Sequence, residues 1–103
     1  MKYLVLLTPV AGRDLAEFAP HMVPEVKAVW AAYAQGALRE IYFAQCTPPV
    51  VTLIYELPDE AAVQRQIDAL PMVEAGLLDS RIIQLGPFQQ FQVLFDKETV
   101  AAA

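Results

Sequence analysis

The sequence predicts a single-domain α+β fold, a four-stranded antiparallel sheet with two helices on one face. Three observations predict it. Short runs rich in β-branched and aromatic residues alternate with two stretches whose apolar residues recur at helical spacing. Their order along the chain is β-α-β-β-α-β. The chain has 103 residues, 56% apolar and 18% charged, so it holds one ordinary core and more apolar surface than that core can hide.

"KYLVLLT" (2–8) is a continuous apolar run ending in turn chemistry, as in a strand covered on both faces. After Gly12 the period changes. Leu15, Phe18, Met22, Val26, Val29, Trp30 and Tyr33 fall within about 120° of arc on a helical wheel. They predict a long amphipathic helix that lays this stripe on the sheet and ends at Gly36. Pro20 and Pro24 lie almost opposite the stripe, where water can satisfy the carbonyls they free. The prolines either bend the helix or break it, with Pro24 opening a second piece.

"ALREIYFAQ" (37–45) and "VVTLIYEL" (50–57) are strands joined by a short turn. Asp59 caps a second helix with Val63, Ile67 and Leu70 on its inner stripe, stopped by Pro71. "MVEAG" is a loop or single turn, and "LLDSRIIQL" (77–85) is the fourth strand. "FQQFQVLF" (88–95) alternates glutamine with aromatics and predicts a short extra strand reaching a partner subunit. The domain is expected to span residues 1–95, with 96–103 a flexible tail.

This order is the ferredoxin-like split βαβ arrangement, which leaves one sheet face bare. Apolar residues on both faces of the first three strands predict that a second copy covers it, giving a homodimer. A small-molecule pocket is expected between the two sheets, or between a sheet and its own helices. A net charge of −5 without a basic cluster argues against a nucleic-acid partner. The run Tyr3–Leu7 is shorter than a signal h-region, and no stretch is long enough to span a bilayer. The single cysteine, Cys46, fits a reducing compartment, so a cytoplasmic location is expected.

The segments "ALPMVEAGLLDSRIIQLGPF", "YAQGALRE" and "EVKAVWAAYAQ" resemble the dimeric α+β barrel superfamily, in particular its small muconolactone-isomerase-like and YciI-like proteins. The resemblance covers about residues 2–95 and implies a dimeric α/β barrel. YciI-like proteins carry a histidine on the first helix and an aspartate before the proline after the second. Here His21 sits farther from the glycine than usual and Leu70 takes the aspartate's place, so that pair is absent. "LP" is the muconolactone-isomerase-like form. That class shifts a proton and a double bond within an unsaturated lactone, without metal or cofactor.

His21 and Glu25 stand four residues apart, adjacent on a continuous helix at the edge of its apolar stripe. An imidazole beside a carboxylate can serve as an acid–base pair for such a proton shift, or can be a surface histidine with a helix neighbour. Arg39, on the same strand face as Ile41 and Phe43, can clamp a substrate carboxylate, snorkel at the sheet end, or pair with Asp79 or Glu56. Tyr42, facing the other way with Glu40, is a second candidate ligand contact. Trp30 and Tyr33 belong to the core or line the pocket. One histidine and one cysteine without a carboxylate cluster make no metal-ligand set, and no phosphate loop or dinucleotide fingerprint is present. Cofactor-free chemistry on a lactone- or carboxylate-bearing molecule is expected, or binding without catalysis.

Overall fold

The computed structural model describes residues 1–102, without the side chains of Thr99, Val100 and Ala102. Four strands, β1 (Lys2–Pro9), β2 (Leu38–Ala44), β3 (Val50–Glu56) and β4 (Leu78–Leu85), form one antiparallel sheet in the order β2-β3-β1-β4. The two longest helices, α2 (Met22–Ala34) and α3 (Glu60–Asp68), supply the β-α-β-β-α-β frame. The Asp59 carboxylate caps α3 by accepting from the Ala62 amide at 2.8 Å, as its position in the sequence predicts.

Strand alternation divides the sheet into two faces. Tyr3, Val5 and Leu7 of β1 pair with Tyr55, Leu53 and Val51 of β3. Together with Val63 and Ile67 of α3 they form the core. The opposite face carries Leu4, Leu6, Ile54, Ile83 and Leu85, none of them buried and none covered by a helix. This is the bare apolar face the sequence predicts.

The first helical stretch bends without breaking. A short α1 (Leu15–Phe18) runs into a 3-10 turn (Ala19–His21) and then into α2, with right-handed helical backbone at Phe18, Ala19, His21 and Met22. Pro20 lacks the amide that an α-helical hydrogen bond would need, and the chain tightens there. Both prolines face solvent.

The expected inner stripe of this helix is corrected by the structure. Met22, Val26, Trp30 and Tyr33 are all more than half exposed, Trp30 at 65%. The face turned inward carries Glu25 and Ala32, flanked by half-buried Ala28 and Val29. Small alanines let the helix backbone approach the sheet closely, where Trp30 or Tyr33 would hold it off.

Two further expectations at the C-terminal end differ. Residues 88–95 form no strand; Gln89–Phe95 is a 3-10 segment, and its main neighbour is the short helix α5 (Lys97–Ala102). The stretch expected to be a flexible tail therefore holds that helix, while Ala103 lies outside the described residues. Pro87 has no amide to donate to a strand ladder, which disfavours a strand directly after β4. Phe88, Phe91, Leu94 and Phe95 remain exposed on this arm, in a molecule measuring 62 × 30 × 19 Å.

Candidate functional site

A cavity of about 1040 Å³ lies between the helix face of the sheet and the α1–α2 stretch. Leu7, Val51 and Leu78 form part of its floor. Phe18, Val26 and Val29 rise on the helical side, and Pro48 and Pro49 of the β2–β3 turn close another edge. Three ionisable side chains line it: Glu25, Arg13 and Asp14.

Glu25 is the one charged residue buried among the described residues, at 8% exposure. Its position follows from two local structures. On α2 it shares the inward face with Ala32. Opposite stands α4 (Pro71–Glu74), a single helical turn in the stretch read from sequence as a loop or single turn. Leu70 is extended, as a residue before proline prefers, and Pro71 opens the turn at its first helical position.

The Met72 amide is then a first-turn donor without an intrahelical acceptor. It donates to Glu25 Oε1 at 2.8 Å. The far end of α4 is fixed by Gly76 in the left-handed region (φ 74°), with Gly76 N–H donating to Val73 O and Leu77 N–H to Met72 O. That double closure is a Schellman motif, and it holds the donor facing Glu25.

Burial raises the Glu25 pKa above the ordinary carboxylate value of 4.5, against the opposing pulls of the Met72 hydrogen bond and the charge of His21. Tyr55 is buried close enough to sense Glu25. Its hydroxyl has no hydrogen-bond partner among the described residues, and burial pushes its pKa up to about 12.

The raised value sets a pH dependence of stability. The folded state holds the Glu25 proton more tightly than the unfolded chain, so folding is favoured most below pH 4.5 and loses that advantage as pH rises through the raised folded value. Glu25→Gln keeps an acceptor for Met72 and removes the titration. Between pH 4.5 and 8 the variant is expected to gain stability relative to the wild type, read as a growing difference in urea midpoints. Parallel midpoints across that range would contradict the raised value.

The other sequence candidates fall in different places. His21 is half-buried in the 3-10 turn, electrostatically coupled to Glu25, and joined to it by no hydrogen bond or ion pair among the described residues. Arg39 sits at a β-bulge between Leu38 and Glu40 and donates through Nε to Gly36 O at 2.6 Å. The extra bulge residue breaks simple alternation, so Leu38, not Arg39, shares the helix face with Ile41 and Phe43. Tyr42 lies with Glu40 as expected, its hydroxyl donating to Glu40 Oε1 at 2.9 Å on the far face of the sheet. Trp30 and Tyr33 stack on each other at 5.6 Å, exposed on α2. Arg39, Tyr42, Trp30 and Tyr33 do not line the cavity.

Sequence reasoning missed the mouth. "DLAE" (14–17) carries the capping signature of an acidic cap followed three residues later by glutamate. Asp14 Oδ1 accepts from the Glu17 amide at 3.1 Å, and the Asp14 amide donates to Glu17 Oε2 at 3.0 Å. Glu17 Oε1 also pairs with Arg13 Nη1 at 3.2 Å, which sets these charges at the rim. No group of three metal-ligating side chains occurs among the described residues. No helix there is long and apolar enough to cross a membrane.

No protein-family model and no curated protein sequence matches this chain. Among solved structures, it is similar to 5-chloro-2-hydroxyhydroquinone dehydrochlorinase from Burkholderia phenoliruptrix AC1100, solved in complex with 2,5-dihydroxybenzoquinone. The TM-score is 0.69 at 13% identity, covering 87% of this chain and 98% of that one. It is also similar to muconolactone isomerase, with a TM-score of 0.67 at 18% identity, covering 84% of this chain and 90% of the other. The likeness shows the fold alone, an α+β arrangement with a four-stranded antiparallel sheet like that of these two structures. Both neighbours are named for reactions on small molecules.

Proposed function

We propose that this protein is a cofactor-free enzyme that moves a proton on a small organic molecule, with Glu25 as its acid–base group. The observation that carries the reading is a buried carboxyl in the wall of an apolar cavity, one oxygen held by the Met72 amide. A carboxylate with its pKa raised by burial is a stronger base than one in water, and its acid form is available nearer neutrality. Glu25 takes a proton from an activated carbon, leaving the electron pair delocalised over the adjacent double bond and carbonyl. The same carboxyl returns the proton at a second carbon, the double bond shifts, and substrate and product are isomers. His21 acts through its charge, favouring the ionised carboxylate that begins the cycle.

The test is a panel of unsaturated lactones and cyclic enones in D2O followed by NMR. Deuterium incorporation or isomerisation by the wild type, lost in Glu25→Gln, is the expected result; none across the panel would remove the enzymatic reading. The alternative is a non-catalytic barrel that holds an apolar ligand, favoured by the largely apolar walls. It predicts binding without deuterium incorporation.

A homodimer is part of this reading, since Leu4, Leu6, Ile54, Ile83 and Leu85 present an uncovered apolar face. Sedimentation equilibrium is expected to give twice the 11.4 kDa chain mass, and Ile54→Lys, which puts a charge in that face, is expected to shift it to the monomer. A monomeric wild type would contradict the dimer.

A further inference from the structure

Resting on the reading of Glu25 as an acid–base group, we infer that the cavity selects an uncharged ring over a carboxylate of the same shape. The argument is electrostatic. Of the three ionisable groups lining the cavity, Glu25 and Asp14 are acidic and only Arg13 is basic. Arg13 Nη1 is paired with Glu17 at 3.2 Å, so Arg13, Glu17 and Asp14 together carry one net negative charge. The Asp14 carboxylate accepts from the Glu17 amide at 3.1 Å.

A ligand carboxylate would approach a chain of net charge −5, pass two rim carboxylates, and shed its water beside a buried third. Removing its hydration against aliphatic walls, where the one lining cation among the described residues, Arg13, is already paired with Glu17, is unfavourable. A neutral ring meets none of these costs. Phe18 and Phe43 in the lining add aromatic surface that suits a neutral ring. A hydroxyl or an acidic C–H on that ring supplies the proton Glu25 exchanges. The neutral members of the ligand class expected from sequence therefore fit, and its carboxylate-bearing members do not.

The test compares two probes of one shape, 4-fluorobenzamide and 4-fluorobenzoate, titrated into the full chain at neutral pH by 19F NMR. Backbone amide shifts at Leu7, Val51 and Met72 report whether the probe is in the cavity. The amide is expected to bind at least about tenfold tighter than the benzoate. In Glu25→Gln, where the buried charge is gone, that preference is expected to narrow. Benzoate binding as tightly as the amide, or neither probe shifting those residues at millimolar concentration, would overturn the inference. Neither result touches the proton-transfer reading, which stands or falls on deuterium incorporation. Absence of incorporation by the wild type, with the amide preference intact, would remove only the catalytic role of Glu25.

Discussion

Glu25→Gln is expected to lower turnover of any substrate found for this protein by about a thousandfold, within the range that removal of an acid–base group costs. The substitution is nearly isosteric. Its amide oxygen still accepts from Met72 N–H, so α2 and α4 stay where they are. Only the capacity to take and return a proton is lost. The ligand should still bind, because the walls formed by Leu7, Val26, Val51 and Leu78 are untouched. The fall is therefore expected in kcat, with KM within a few-fold, from initial rates over a substrate series. A Glu25→Gln protein with folded-state spectra and wild-type kcat would end the assignment. His21→Ala is the graded control: it removes a nearby charge rather than the reacting group, so its effect is expected to be smaller.

Leu53→Ala carries the largest expected effect on stability. Leu53 is 0% exposed at the centre of β3, paired with Val5 on one side and Ile41 on the other. Truncation removes buried methyl groups and leaves a void in the layer shared with α3. The expected loss is about 3 kcal/mol, read as a lower urea midpoint with an unchanged slope at fixed protein concentration. For a domain this small, such a loss lowers Tm by roughly 10–20 °C. A change under about 1 kcal/mol would show that the layer collapses around the smaller side chain or is loosely packed. The same truncation at Val26, 58% exposed on α2, is expected to change little in a single chain, because nothing is buried there to lose.

The two substitutions mark where sequence reasoning succeeds and where it stops. Leu53 lies in a strand that its β-branched and aromatic residues make legible, although apolar residues on both faces leave open which face meets the helices. Glu25 is visible only as half of a possible pair with His21, at the edge of a stripe. The stripe itself misleads, because a wheel ranks residues by hydrophobicity and cannot know how close the helix must come to the sheet. Ala28 and Ala32 win the inner face through size, and Glu25 goes in with them. The acceptor's partner, Met72 N–H, lies 47 residues away in a turn that the sequence shows only as "MVEAG".

Arg39 illustrates the same limit on a strand. Alternation puts it with Ile41 and Phe43, but one bulge residue reverses the parity of everything before it. What the sequence by itself determined was the order and kind of the main elements, the caps at Asp59 and Gly36, the solvent side of Pro20 and Pro24, and a bare apolar sheet face. These follow from local periodicity and backbone chemistry, which act within a few residues. The tertiary structure alone decided which face of α2 is buried, that Glu25 meets the α4 turn, and that acidic groups outweigh Arg13 at the cavity mouth. Those depend on close packing and burial between distant segments, and no local pattern encodes them.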